Sequence, residues 1–414
     1  MVGSEMDHGL PCVHCGLCLD TCPTYRVLGT EADSPRGRIY LMTAISSGEM
    51  SLDHNAIGHL DGCLGCLACE TACPSGVSYR HRIEEFRPRI HAAVRRNPWR
   101  RIVAAASADP RLLRFALRVA RVMDTLGLAR LRRRLPGLDL LPAARAAYDG
   151  VERTPRSRSR IPAPEQPRMR VGLLAGCVGD ALRPSINRAA VEVLHRNGIE
   201  VVEIEDIGCC GALAMHAGRE SDALELARRN ARAFADAGVE RFVTTAAGCG
   251  AMLRDYGRLL RNDADHCDAA RRMAANTRDV SELLVEAGFA RPSRQPLESK
   301  RVVYHDACHL LHASGIADAP RSVVSSAIGR RPTDLGDNML CCGSAGSYNI
   351  DHRAMGLELG RHKAALARDI GADVISVGNI GCILQLERAA ALEGIRVRVA
   401  HPVELLAEAY DAKE

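Results

Sequence analysis

The sequence predicts a mixed fold in three parts, a mainly helical N-terminal module followed by two homologous α/β domains. Three observations carry this. Eight of the seventeen cysteines fall into two copies of one spacing: Cys12, Cys15, Cys18 and Cys22 before Pro23, then Cys63, Cys66, Cys69 and Cys73 before Pro74. A second set, Cys177, Cys209-Cys210-Gly211 and Gly248-Cys249, recurs as Cys308, Cys341-Cys342-Gly343 and Gly381-Cys382, at offsets of 131, 132 and 133 residues. Between those cysteines, short strand-like stretches alternate with amphipathic helical ones, the order that builds a largely parallel sheet.

The N-terminal spacing points to two [4Fe–4S] clusters. A C-x-x-C-x-x-C stretch wraps three thiolates around one cubane, and the fourth cysteine, before proline, serves the neighbouring cluster. We therefore expect Cys12, Cys15, Cys18 and Cys73 on one cluster and Cys63, Cys66, Cys69 and Cys22 on the other. Structural zinc is the competing reading of paired C-x-x-C. Zinc, however, takes two such pairs rather than four-cysteine runs ending in Cys-Pro. Disulfides are disfavoured because adjacent C-x-x-C thiols in a chain without a secretory signal point to a reducing compartment.

Composition narrows the class further. A chain of 414 residues is long enough for about three domains. The stretch Met1 to Leu10 carries Glu5, Asp7 and His8, so it reads as neither a signal peptide nor a twin-arginine leader. No apolar run approaches the roughly 20 residues needed to span a bilayer. The expectation is a cytoplasmic protein whose membrane contact, if it makes one, is peripheral on the inner face of the cytoplasmic membrane. A net charge of only +5 with 3% aromatic residues argues against nucleic acid, since stacking platforms for bases are scarce.

Taken in order, residues 1–90 form the cluster module. Between its cysteine runs, Ser34-Pro35-Arg36-Gly37-Arg38 reads as a turn and Ile39 to Ile45 as a short helix. Residues 91–149 form a basic connector. From Glu84 to Arg134 the chain is arginine-rich, and Leu113, Leu117, Ala120 and Met123 recur at helical spacing. This basic amphipathic helix has two open readings, docking onto anionic lipid or an acidic partner and a merely solvated face. Residues 150–169, with Pro155, Pro162, Pro164 and Pro167, read as a linker.

The two repeats occupy 170–297 and 298–414. In the first, Arg170 to Ala175 and Glu240 to Ala246 read as strands, and Ala190 to Asn197 and Ser221 to Ala237 as helices. In the second, strands are expected at Arg301 to His305 and Val374 to Val377, and helices at Ala354 to Asp369 and Cys382 to Ala391. The unit ends echo each other, Val280-Ser281-Glu282-Leu283-Leu284 against Val403-Glu404-Leu405-Leu406. Ligands collect at the carboxyl ends of such strands, and Cys177, Cys249, Cys308 and Cys382 are expected where a strand gives way to a loop.

Two readings of the repeated cysteines stay open. Cys177, Cys209, Cys210 and Cys249 in one unit, and Cys308, Cys341, Cys342 and Cys382 in the other, either hold a further cluster or metal or pack as small buried hydrophobes. Cys267 has no counterpart in the second unit and reads as an inert thiol. His305 and His309 bracket Cys308, and His216 follows the first Cys-Cys-Gly. Each is either a ligand or proton carrier or a residue satisfying local hydrogen bonds. There is no Ser/His/Asp arrangement, no P-loop and no strand followed by G-x-G-x-x-G, so the chain carries electrons while a partner does the organic chemistry.

Several motifs together resemble the iron–sulfur subunit of bacterial glycolate oxidase over nearly the whole chain. They are Cys-Val-His-Cys-Gly-Leu-Cys (12 to 18), Thr-Cys-Pro-Thr-Tyr (21 to 25), Pro-Arg-Gly-Arg-Ile-Tyr-Leu (35 to 41) and Cys-Pro-Ser-Gly-Val (73 to 77). Ala-Gly-Cys-Gly-Ala (247 to 251), Leu-Cys-Cys-Gly-Ser-Ala-Gly (340 to 346) and Asn-Ile-Gly-Cys (379 to 382) extend the match through both repeats. The resemblance implies a two-cluster ferredoxin-type module followed by two cysteine-rich CCG domains. It implies FAD on partner subunits that oxidise glycolate or D-lactate to the 2-oxo acid, and electrons passing through this chain towards a quinone or another acceptor. The CCG domains also resemble those of heterodisulfide reductases, which would imply thiol–disulfide chemistry, but the closing Cys-x-x-Cys is absent. Met252 and Gln385 stand where its second cysteine would be. Iron–sulfur subunits of lactate-utilisation and anaerobic glycerol-3-phosphate dehydrogenase systems share the architecture.

Overall fold

Short helices separated by cysteine loops build the N-terminal module: Pro23–Leu28, Pro35–Ser46, His54–Asp61, Ala68–Thr71 and Tyr79–Ala93. This computed structural model describes residues 12–93 and 161–412, with isolated positions between 115 and 126. The basic amphipathic helix expected from Leu113, Leu117, Ala120 and Met123 lies, apart from those isolated positions, outside the described residues, as does the first part of the linker. Helix starts follow their side chains. Asp53 Oδ1 accepts the Ala56 N–H at 2.9 Å, capping His54–Asp61. Ile39, Met42, Ile45, Leu60, Ile83, Phe86 and Ile90 form the apolar core under the cysteine loops.

One expectation is corrected here. Ser34 to Arg38 is not a turn before a helix but the start of the helix itself. Ser34 is the cap, its Oγ accepting the Gly37 N–H at 3.0 Å, and Pro35 takes the first helical position, where its missing N–H costs nothing. Gly37 is required by packing, because a Cβ there would lie 2.0 Å from the Glu31 carbonyl oxygen. Gly37→Ala should therefore destabilise the module by at least about 1–3 kcal/mol, read as a lower thermal midpoint of the cluster absorbance. An unchanged midpoint would show that the chain before the helix gives way freely.

Each repeat carries a four-stranded parallel sheet. Strands β1 (Met169–Leu174), β2 (Ile199–Val202), β3 (Arg241–Thr244) and β4 (Thr277–Asp279) lie in the order β2-β1-β3-β4. Strands β5 (Val302–Tyr304), β6 (Thr333–Asp334), β7 (Val374–Ser376) and β8 (Arg398–Ala400) repeat it as β6-β5-β7-β8. The register repeats as well: Val171 faces Arg241 in the first sheet, and Val302 faces Val374 in the second. Helices fall at Pro184–Arg196, Glu220–Asp236, Arg353–Ile370 and Ile380–Leu392, within a few residues of expectation except at the first start. The echoed unit ends are two capping boxes, Asp279 with Glu282 and His401 with Glu404.

The two repeats share one apolar core. Ile186, Val193 and Leu194 of the first meet Val323, Ile328, Leu405 and Leu406 of the second, all essentially without exposed surface. Burying each such side chain contributes about 1.5–3 kcal/mol. In both sheets the order of strands reverses between the first and third strands in sequence, β1 beside β3 and β5 beside β7. The crevice outside the carboxyl ends of those strands is where a sheet of this kind gathers a site.

Candidate iron–sulfur centre and the paired cysteine sites

Both N-terminal cysteine runs use the same unusual backbone. The residue before the second cysteine and the residue after it are left-handed in each run, His14 (φ 56°) and Gly16 (φ 86°) in the first, Gly65 (φ 64°) and Leu67 (φ 67°) in the second. That pair of reversals coils each C-x-x-C-x-x-C around a point. His14 and Leu67 hold a conformation that side chains disfavour by about 1–2 kcal/mol, the kind of strain that is retained at functional sites.

Cys22 leaves its own run and lines one cavity with Cys63, Cys66 and Cys69. It sits immediately before Pro23 as the helix begins, and its Sγ lies 3.3 Å from Thr24 Oγ1. Cys12, Cys18 and Cys73 are half-buried against the module's apolar core, and Cys15 is exposed. This cavity is also walled by Pro23, Pro35, Leu64, Leu67 and Tyr79, which exclude water, and by the Arg38 guanidinium.

Donors converge on this cavity. Cys63 Sγ accepts the Gly65 N–H at 3.3 Å and the Tyr79 hydroxyl at 3.4 Å. Burial alone would raise the Cys63 pKa, yet the Arg38 and Arg87 charges and these two hydrogen bonds hold it below the ordinary thiol value. Burial pushes Cys66 and Cys69 well up. Four thiols, two N–H or O–H donors and an interior cation make a cradle whose chemistry fits a thiolate-bound iron–sulfur cluster.

Arg38 comes from the Pro-Arg-Gly-Arg motif and is 1% exposed. Its Nε donates to the His59 carbonyl at 2.7 Å, one terminal nitrogen donates to Thr24 Oγ1 at 2.9 Å, and the other lies 3.5 Å from Asp33 Oδ1. Asp33 also meets His59 Nδ1 at 3.0 Å. Sequence reasoning used this arginine only as part of a motif. Its place against the cavity follows from the helix that Ser34 starts.

The second cluster loop touches both repeats. Arg87 donates to the carbonyls of Cys63 and His216, and His309 Nε2 lies 3.1 Å from the Gly65 carbonyl. The His216 and His309 rings stack 5.4 Å apart. Burial holds His216 well below the ordinary histidine pKa and His309 at about 4, so both rings are neutral around neutral pH. Cys66 shares an apolar cluster with Cys308, Cys341 and Leu340 of the second repeat. The second cluster loop and the second Cys-Cys-Gly site are thus neighbours.

Within each repeat the separated cysteines do meet. In the first, Cys177 lies 3.8 Å from Cys209 and Cys210 lies 3.2 Å from Cys249. In the second, Cys308 lies 3.9 Å from Cys341, and the reactive atoms of Cys342, Cys382 and His305 all fall within 4.8 Å of one another. Gly211 and Gly343 supply N–H groups to Cys209 and Cys341 at 3.5 and 3.4 Å. Two placements differ from expectation. Cys249 and Cys382 sit not in loops but in the first turns of helices Ala247–Arg254 and Ile380–Leu392, because each helix begins almost directly after its strand. Met252 and Gln385 are buried parts of the packing. Gln385 Nε2 donates to the Gly356 carbonyl at 2.6 Å, and its Oε1 accepts from Asn349. Cys267 is half-buried at the start of a surface helix.

Comparison with known proteins agrees with this layout. The 4Fe–4S dicluster domain family matches residues 9–77, and the cysteine-rich domain family matches twice, at 171–254 and 302–387. The glycolate oxidase iron–sulfur subunit of Escherichia coli is 35% identical, over 97% of this chain and 94% of that one. A probable glycolate oxidase iron–sulfur subunit of Bacillus subtilis is 33% identical, over 98% and 95%. A hypothetical protein from Helicobacter pylori shares the fold, with a TM-score of 0.54 at 11% identity, over 92% of this chain and 68% of that one. No helix among the described residues is long and apolar enough to cross a membrane. With the dicluster module, both cysteine-rich repeats and a third of all positions held in common along nearly the full length, the chain belongs to the glycolate oxidase iron–sulfur subunit family.

Proposed function

We propose that this chain is the electron-transfer subunit of a 2-hydroxy-acid oxidising complex, with glycolate as the first substrate to test and D-lactate as the second. FAD sits on partner subunits that perform the oxidation. The electrons pass through this chain towards a quinone or another acceptor, on the cytoplasmic side of the membrane. Cys12, Cys15, Cys18 and Cys73 hold one [4Fe–4S] cluster and Cys63, Cys66, Cys69 and Cys22 the other. The observation that carries the reading is the cavity in which Cys22 of the first run joins three cysteines of the second, in a chain whose relatives of near-equal length are iron–sulfur subunits of glycolate oxidase. We read modules at 1–90, 91–149, 150–169, 170–297 and 298–414, the basic connector being the segment offered to a membrane surface or acidic partner.

When bound, the clusters take up and release single electrons at fixed positions. The chain's residues set the conditions. Arg38 and Arg87 place positive charge beside the Cys63 thiolate, which favours the more negative, reduced form. Tyr79 and Gly65 orient its sulfur, and Leu64, Leu67, Pro23 and Pro35 keep water out. In this reading hydride or proton abstraction belongs to the flavin-bearing partner.

The test mixes the anaerobically purified chain with its flavin-bearing partner subunits and adds glycolate. The cluster absorbance should bleach only when the flavin subunits are present. Reduced flavin beside fully oxidised clusters, or glycolate oxidation by the isolated chain, would sink the proposal.

A further inference from the structure

The two repeats differ at one position that matters chemically. His305 follows β5 directly and bonds through its backbone N–H to the Ser376 carbonyl at 2.9 Å. Its ring is wholly buried, and neither Nδ1 nor Nε2 has a hydrogen-bond partner. A buried imidazole with both nitrogens unmet loses its hydration with nothing in return, at a cost of about 1–3 kcal/mol for each such group. Here the ring lies within 4.8 Å of two sulfurs, those of Cys342 and Cys382, which are 1% and 2% exposed. Imidazole and thiolates gathered this closely are the donor set of zinc and of thiolate-bound iron.

The first repeat supplies an internal comparison. Val171 and Val302 occupy the same rung of their sheets, opposite Arg241 and Val374, so three residues further on His305 corresponds to Leu174. Leu174 packs in one apolar cluster with Cys210 and Cys249, the counterparts of Cys342 and Cys382. The same place beside the same cysteine pair is therefore filled by a hydrocarbon in one repeat and by an unpartnered imidazole in the other. Neither repeat has the second cysteine of a closing Cys-x-x-Cys. In the second repeat Gln385, which stands there, is committed to Gly356 and Asn349, and so is not the missing donor.

We propose that the second Cys-Cys-Gly domain, and not the first, holds a metal centre of zinc or iron in which His305 joins Cys342 and Cys382 as a ligand. Cys341 precedes Cys342 in the chain and its sulfur lies 3.9 Å from that of Cys308, so this second pair of thiols is the nearest source of a further donor. Asn379 Nδ2 donates to Cys382 Sγ at 3.4 Å and steadies that sulfur. The centre adjoins the second N-terminal cluster loop through the contact of Cys66 with Cys308 and Cys341.

The test uses His305→Leu, the residue the first repeat already tolerates, in the full-length chain purified anaerobically. Zinc, iron and acid-labile sulfide are counted per chain. The wild type should carry metal beyond the roughly eight irons of two [4Fe–4S] clusters, either about one zinc or further iron with its sulfide, and the two arms identify the metal. The variant should lose that excess and keep the eight irons, which also reports that the N-terminal clusters and the fold are intact. Cys342→Ala should lose the same fraction. X-ray absorption at the edge of the excess metal should show a nitrogen scatterer, at about 2.0–2.1 Å if the metal is zinc, that disappears in His305→Leu. A wild type holding no metal beyond the eight irons, or equal metal in wild type and His305→Leu, would overturn the proposal. Fewer than eight irons in the wild type would count against the cluster assignment instead.

Discussion

Cys22→Ser should leave the chain with one [4Fe–4S] cluster, iron falling from about eight to about four per chain, and the surviving cluster should be the one held by the first cysteine run. The reason is geometric. Cys22 belongs to the first run by sequence but lines the cavity of Cys63, Cys66 and Cys69. Cys22→Ser should therefore share its EPR spectrum with Cys66→Ser, and Cys73→Ser should share its spectrum with Cys15→Ser. If Cys22→Ser instead groups with Cys15→Ser, each run holds its own cluster and the crossed assignment is wrong. The four spectra answer this even if a variant is unstable, because the grouping does not depend on yield. Electron flow from the flavin subunits should drop by orders of magnitude in every variant that empties a cluster on the route.

Most of the architecture was legible because its signals are local. Two four-cysteine runs each closing on Cys-Pro stand out by spacing alone, and four of the eight strands and four of the helices were read within a few residues of where they lie, the start at Pro184 excepted. The echo between Val280 to Leu284 and Val403 to Leu406 was visible, but not that each stretch starts a helix from a capping box at Asp279 and at His401. The Ser34 to Arg38 segment was misread because proline and glycine together suggest a turn. The serine ahead of Pro35 and the close approach of Glu31 to Gly37 decide otherwise. Three-dimensional neighbours were the illegible part. His305 was conspicuous only for standing near Cys308, yet its ring reaches the sulfurs of Cys342 and Cys382. His216 and His309 were singled out separately, and nothing in the sequence said that they stack on each other or that His309 reaches the Gly65 carbonyl. Such pairings depend on how two repeats and a module dock, which no spacing encodes.

The internal duplication also explains why similar cysteine sets need not do the same work. Strand order, register and the Cys-Cys-Gly turn are shared, so each repeat brings its thiols to the crevice between its first and third strands. What each then offers is set by single positions around that crevice, Leu174 against His305 and Met252 against Gln385. The second repeat also lies directly against the second cluster loop. The difference in donors therefore falls where a further centre would be in contact with the electron path.

Arg38→Met should shift the potential of the second cluster and weaken the module, and the two effects can be separated. Arg38 is interior, 3.9 Å from Cys22 Sγ, and is bound to His59, Thr24 and Asp33. Burial would depress its pKa, but the charges of Cys63, Tyr79, Cys22 and Asp33 raise it overall, so it stays a cation. Removing that cation leaves Asp33 buried with only His59 beside it, at a cost of roughly 3–5 kcal/mol for breaking a buried ion pair from one side. A unit charge near 4 Å from a thiolate interacts by about 4 kcal/mol in a medium of effective dielectric about 20. Losing even part of that from the reduced state should move the second cluster's potential on the order of 50–100 mV more negative. The first cluster, whose cysteines do not line the cavity that Arg38 walls, should move far less. Arg38→Lys keeps the charge and gives up the fork of donors, so it should lose stability while holding the potential near its original value. Redox titration followed by EPR reads both clusters at once. An unchanged second-cluster potential in Arg38→Met, or an equal fall in Arg38→Lys, would mean that the arginine of the Pro-Arg-Gly-Arg motif braces the cysteine loops and has no part in setting where the electron rests.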